Sequence, residues 1–274
     1  MNRIPPPGPT QGRAPAHRRE DAAQGDGEIL LAGRGIRRVW GGLVALDDVS
    51  IEVRRGEVHA LIGTNGAGKS TLVNILAGEI PPSAGRVELL GQDASEWSQP
   101  RRARAGLARS YQRTTIFPEF SVLENCRLCA QARHPRPWAI WSPAARCAVS
   151  LEAARRAALR VGLGDELERP AGLLSHGGRR QLEIGMCLAT DPRVLLLDEP
   201  LAGMGAEETD RMLALIEELR PDHGILLVEH DMDAVFRIAD RITVMVNGQV
   251  IASDRPDAIR HNPDVQTAYL GEQG

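Results

Sequence analysis

The sequence predicts an α/β fold: a parallel sheet covered by helices, preceded by an antiparallel β layer and interrupted by an inserted helical subdomain. The first observation is a strand, glycine loop and helix in succession. Ala60-Leu61-Ile62 runs into Gly63-Thr64-Asn65-Gly66-Ala67-Gly68-Lys69-Ser70, and Thr71-Leu72-Val73-Asn74-Ile75-Leu76 follows. The second is a pair of runs, Val194-Leu195-Leu196-Leu197 and Ile225-Leu226-Leu227-Val228, that are apolar at every position, as strands buried on both faces of a parallel sheet are. The third is that both runs end in polar groups, Asp198-Glu199 and Glu229-His230-Asp231, at the carboxyl edge where such sheets bind ligands.

The glycine loop fits the full P-loop pattern. Gly63, Gly66 and Gly68 permit backbone dihedrals that turn successive N–H groups inward around a phosphate at a helix N-terminus. Lys69 then reaches the β- and γ-phosphates, and Ser70 ligates Mg²⁺. Lys69 is also the single lysine among 33 cationic residues. A compact ammonium on a flexible stem suits a phosphate cradle better than a planar guanidinium does. Asp198 is placed to hold the Mg²⁺ shell, and Glu199 to orient or deprotonate a water attacking the γ-phosphate. His230 emerges at the same edge, where it is either structural or a hydrogen-bond donor to the γ-phosphate or the water; the pattern favours the donor.

At 274 residues the chain accommodates one large α/β domain with a subdomain. A net charge of -3 points away from nucleic acid and other polyanions. No apolar run is long enough to span a bilayer, and the N-terminus lacks the apolar stretch of a secretory signal. The four cysteines, Cys126, Cys129, Cys147 and Cys187, fit reduced thiols. Cys126 and Cys129 form a CxxC, but on a helical pattern with no second ligand pair.

In chain order, residues 1–27 are rich in Pro, Gly, Ala and charge and are expected to be a disordered tail before a single domain at 28–274. Strands are expected over residues 35–39, 49–53 and 57–62, forming an antiparallel layer that leads into the loop. Trp40 at a strand end fits either a ring stacked on a purine base or a core tryptophan. A strand over 86–90 and a helix over 98–108 follow, then a loop carrying Gln112. The pattern stays mainly helical from about 98 to 190, with helices over 122–132, 144–161 and 179–190, which defines the inserted subdomain. Within it, the segment from His134 to Pro143 holds three prolines and two tryptophans, and reads as a self-packed loop or a partner contact. Strands near 241–246 and 249–252 and two short helices close the chain.

These residues resemble the ATP-binding subunits of ATP-binding-cassette (ABC) transporters, from about Ile29 to Gly271. Leu174-Ser175-His176-Gly177-Gly178-Arg179-Arg180-Gln181 stands where that family has its Leu-Ser-Gly-Gly-Gln signature. The resemblance implies a P-loop NTPase fold with a RecA-like parallel-sheet core. It implies ATP and Mg²⁺ as ligands, with Gly63, Thr64, Asn65, Gly66, Ala67, Gly68, Lys69, Ser70 and Thr71 around the nucleotide and Trp40 stacked on adenine. It makes Gln112 the glutamine that senses Mg²⁺ and transport state, and His230 the switch histidine. Two such subunits sandwich two nucleotides, so Ser175, Gly177 and Gly178 would meet the γ-phosphate of the opposite site. His176 replaces the first signature glycine, Gly178-Arg179 stands where a glutamine or acid is usual, and Gly205 replaces an aspartate, which points to altered coupling between sites.

The wording of Leu182-Glu183-Ile184-Gly185, Pro200-Leu201-Ala202-Gly203-Met204, Glu229-His230-Asp231-Met232 and the ending Asn262 to Gly271 is similar to the branched-chain amino acid uptake group; urea and short-chain amide importers share much of it. The resemblance therefore implies two membrane permease subunits, a second ATP-binding subunit that is more in keeping with a different chain, and indirectly a substrate-binding protein. It implies a peripheral place on the cytoplasmic face of the inner membrane. A soluble ABC ATPase without a permease is the competing class, but such proteins often carry two cassettes or a long coiled coil, and this chain has one cassette and no sustained heptads.

Overall fold

The computed structural model of the 274-residue chain describes residues 27–111, 115–133 and 147–270. The expected tail, Gln112 and the proline- and tryptophan-rich segment lie outside them, Gly27 excepted.

The chain opens with a long hairpin, β1 (Ile29–Trp40) and β2 (Leu43–Arg54), then β3 (Val58–Gly63), α1 (Lys69–Ala77), β4 (Ala84–Leu89) and β5 (Gln92–Asp93). Next come α2 (Gln99–Ala105), β6 (Leu107–Arg109), α3 (Val122–Arg133), α4 (Ala148–Arg160), α5 (His176–Leu188) and β7 (Val194–Asp198). The last part comprises α6 (Ala206–Leu219), β8 (Gly224–Val228), α7 (Met232–Ile238), β9 (Arg241–Val246), β10 (Gln249–Asp254), α8 (Pro256–Arg260) and α9 (Pro263–Leu270). One sheet is antiparallel, in the order β2-β1-β4-β5. The other runs β10-β9-β3-β8-β7-β6, parallel from β9 to β6, with β10 antiparallel at its edge.

The all-apolar runs behave as their pattern requires. In β7, Leu195 and Leu197 join the core shared with the helices α3 to α6, while Val194 and Leu196 face α1 and the antiparallel sheet. β8 divides in the same way, Ile225 and Leu227 against Leu226 and Val228. Every residue of β3, β7 and β8 is buried. At about 1.5–3 kcal/mol for each large apolar side chain, these central strands fix the sheet edge from which the polar residues emerge.

Three sequence expectations are corrected. The 57–62 strand belongs to the parallel sheet, between β8 and β9, and not to the antiparallel layer. The helix expected through Ala108 ends at Ala105, because Gly106 turns left-handed (φ 114°) and Leu107–Arg109 pairs with Val194, Leu195 and Leu196. A strand of three residues is too short to show periodicity. β6 thereby joins the α/β core beside β7. α2 is fastened to that core by Arg102, whose buried guanidinium donates to the carbonyls of Ile75 (2.6 Å) and Leu76 (2.7 Å) at the end of α1 and to Ala94 (2.7 Å). Finally, α5 starts at His176 and not at Arg179, since the Ser175 hydroxyl accepts the Gly178 N–H (3.1 Å) and caps the helix.

Candidate functional site

β3 ends at Gly63, and the glycine loop turns directly into α1. Two glycines are required by crowding: a Cβ on Gly63 would lie 2.2 Å from the Met245 carbonyl oxygen of β9, and one on Gly68 would lie 2.7 Å from the carbonyl of Ala45. Gly68 is the left-handed N-cap (φ 96°) that lets α1 begin at Lys69. The Lys69 ammonium donates to the carbonyls of Gly63 (2.7 Å) and Thr64 (3.0 Å). Burial foremost pushes its pKa down, and the carboxylates of Glu199 and Asp198 push the other way. The loop floors a cleft of about 650 Å³ that gathers Trp40, Asn65 to Thr71 and Glu199. Trp40 is 47% exposed, so it is no core residue; the Arg38 guanidinium stands 3.9 Å from its ring centroid. Ser70 is exposed and lines the cleft, while buried Gly63 and half-buried Thr64 do not line it.

β7 delivers the two acids differently. Asp198 is buried; its N–H donates to the Ser110 hydroxyl (3.3 Å), and its Oδ2 accepts from Arg109 Nη2 (3.1 Å). Glu199 continues the ladder through its N–H to the Val228 carbonyl (2.9 Å) but adopts a left-handed backbone (φ 50°). That conformation costs a non-glycine residue about 1–2 kcal/mol, and Glu199 ends up lining the cleft. His230 is largely exposed and does not line the cleft, with Nδ1 4.0 Å from Glu229. Glu229 is buried, accepts the N–H groups of Leu201 (2.9 Å) and His230 (3.2 Å), and has its pKa raised chiefly by that burial.

The structure does not bring every predicted residue together. Ser175, Gly177 and Gly178 line a separate cavity of about 410 Å³ at the head of α5. There the Gly177 N–H donates to the Glu208 carboxylate (3.2 Å). Gln112 lies outside the described residues. Four residues escape the sequence reading. Asn247 and Gly248 line the cleft from the β9–β10 turn, where Gly248 N–H donates to the Ala67 carbonyl (3.1 Å); an Asn-Gly pair between strands is the signal that marks such a turn. Arg109 and Glu208 carry no local signal, because their partners are distant in sequence. Among the thiols, Cys126 and Cys187 are buried and Cys129 partly so. Burial pushes Cys126 up to about 12 and Cys129 to about 11, which leaves them protonated and inert.

The family of this architecture is settled by comparison. Residues 46–202 match the family described as ABC transporter. This chain belongs to the ABC transporter family. The ABC chain is 42% identical over 252 residues to the high-affinity branched-chain amino acid transport ATP-binding protein LivG of Salmonella typhimurium, covering 89% of this chain and 98% of that one. It is 39% identical to BraF of Pseudomonas aeruginosa, which carries the same description, with the same coverage. Residues 249–274 match a second family, branched-chain amino acid ATP-binding cassette transporter. The ADP conformation of an ATP-binding cassette of an ABC transporter superposes with a TM-score of 0.79 at 31% identity, covering 89% of this chain and 99% of that one.

As a member of this family the ABC chain is a nucleotide-binding ATPase, and the cleft suits that ligand. Its floor is a glycine cradle with an ammonium, its rim an exposed tryptophan, and its wall a carboxylate. The Ser70 hydroxyl and the Asp198 carboxylate are hard oxygen donors of the kind Mg²⁺ takes when phosphates supply much of the remaining shell. No helix among the described residues is long and apolar enough to cross a membrane.

Proposed function

We propose that this chain is the ATP-binding and ATP-hydrolysing subunit of an importer that powers uptake of branched-chain amino acids. The observation that carries the catalytic part is the cleft in which Lys69 and Glu199 face the same space. Residues Gly63 to Thr71 hold the phosphates of ATP, with Trp40 against the adenine. Ser70, Asp198 and Gln112 are the residues that would hold Mg²⁺, which would supply positive charge to offset that of the phosphates. Glu199 accepts a proton from the attacking water, and His230 donates a hydrogen bond at the γ-phosphate. Ser175, Gly177 and Gly178, being in a separate cavity, serve the nucleotide of a second ATP-binding subunit, so one chain is half of two sites.

Similarity to LivG and BraF along nearly their full length supports the cargo, as does the match over residues 249–274. On this reading the chain sits at the cytoplasmic face of the inner membrane beneath two permease subunits, paired with a different ATP-binding chain and served by a substrate-binding protein. On the same reading the working unit is the 28–274 domain.

Uptake of labelled leucine and labelled urea by cells carrying the wild-type chain or Lys69→Ala tests this. Loss of leucine uptake alone is the expected outcome. Loss of urea uptake alone would keep the mechanism and replace the cargo. In purified protein, Glu199→Gln should bind MgATP with wild-type affinity and lose hydrolysis by about 10²–10⁴-fold; wild-type turnover would remove Glu199 as the base.

A further inference from the structure

We infer that Arg109 is a positioning residue of the Mg²⁺ site: it sets the angle of the Asp198 carboxylate against the helix that carries Lys69 and Ser70. The inference rests on the proposed role of Asp198 and adds a residue that neither the sequence motifs nor the family comparisons assign.

Arg109 is the last residue of β6, and its side chain is 8% exposed. The guanidinium divides its two terminal nitrogens between two parts of the site. Nη2 donates to Asp198 Oδ2 at 3.1 Å. Nη1 donates to Asn74 Oδ1 at 2.7 Å and to Glu79 Oε1 at 2.8 Å. Asn74 lies on α1 and Glu79 just beyond its end. The aromatic ring of Tyr111, next to Gln112 in the chain, has its centroid 4.9 Å from the same guanidinium.

A counter-charge for Asp198 alone would need only one contact. The planar fork instead spans β7 and α1, which a point-charge ammonium cannot do at both ends. With Oδ2 held by Arg109 and the backbone held by Ser110, Oδ1 is left in one orientation for a cation. Hydrogen bonds that orient a ligating carboxylate are worth about 10–100-fold in metal affinity. Removing a positive charge near a cation site would by itself tighten the metal. The direction of change therefore separates orientation from mere charge balance.

The test measures Mn²⁺ binding by electron paramagnetic resonance to the full chain saturated with a non-hydrolysable ATP analogue. Metal-free affinity for the analogue and the thermal midpoint serve as controls. Arg109→Met should weaken Mn²⁺ about tenfold with metal-free affinity for the analogue near wild type, while the thermal midpoint falls because buried Asp198 loses its counter-charge. Arg109→Lys should fall in between, and Asn74→Ala should weaken Mn²⁺ a few-fold through loss of the anchor on α1. Unchanged or tighter Mn²⁺ binding in Arg109→Met overturns the inference. If that variant does not fold, wild-type Mn²⁺ affinity in both Arg109→Lys and Asn74→Ala overturns it instead. Asp198→Asn separates the two levels: wild-type Mn²⁺ affinity there removes Asp198 from the site and this inference with it. Lost affinity in Asp198→Asn but not in Arg109→Met leaves Asp198 in place and removes Arg109 alone.

Discussion

At the scale of single residues, the glycine loop combines chemistry with steric necessity. The Met245 carbonyl oxygen, which would lie 2.2 Å from a methyl group on Gly63, belongs to the β9 backbone and cannot rotate away. Gly63→Ala should therefore destabilise the protein by about 1–3 kcal/mol and lower its melting midpoint by roughly 3–10 °C, measured by calorimetry without nucleotide. An unchanged midpoint would mean that β9 yields. The need for glycine at this position is legible in the sequence, because the motif is local. The left-handed backbone of Glu199 is not, since glutamate rarely adopts it and the ladder bond that helps hold it there comes from distant Val228.

At the scale of elements, β3 carries the loop and is itself registered by a buried histidine. His59 Nδ1 is 2.6 Å from the Glu52 carbonyl of β2, so it is the donor. Nε2 then accepts from the Thr243 hydroxyl of β9 at 2.7 Å, and that oxygen accepts in turn from Ser253 on β10 (2.7 Å). This arrangement needs the neutral ring. Burial foremost lowers the His59 pKa from 6.5 to about 4. Between those values the unfolded chain binds a proton that the folded chain refuses, so stability rises with pH across the window and is complete above about 6.5. The full effect is about 3 kcal/mol. Urea midpoints taken from pH 7 down to 4 should fall in the wild type and show a shallower slope in His59→Gln; equal slopes would rule His59 out as the source. The strand was legible from its apolar run, and the role of its one histidine was not, because the groups it bonds lie on other strands.

At the scale of the whole molecule, the P-loop cleft and the cavity at the head of α5 are distinct spaces within one chain. A residue in the second cavity should then leave the chain's own nucleotide site intact. Ser175→Arg, which places bulk and charge at the cap of α5, should keep wild-type ATP affinity in the isolated chain. With the second ATP-binding subunit proposed above it should abolish ATP-driven association, followed by light scattering. Weakened ATP binding by the isolated Ser175→Arg chain would contradict the separation of the two cavities.

The sequence by itself determined the α/β class, the glycine loop between strand and helix and the strand-end acids, because each is written in contiguous residues whose period or spacing has one physical meaning. It also carried the family, through motifs that keep their wording. Tertiary structure alone decided that Leu107–Arg109 is a strand, that Glu199 turns into the cleft while Asp198 stays buried beside Arg109, and that Ser175 stands apart from Lys69. The reason is the same in each case: these facts depend on hydrogen bonds and ion pairs between residues far apart in the chain, and no local pattern records which distant group arrives.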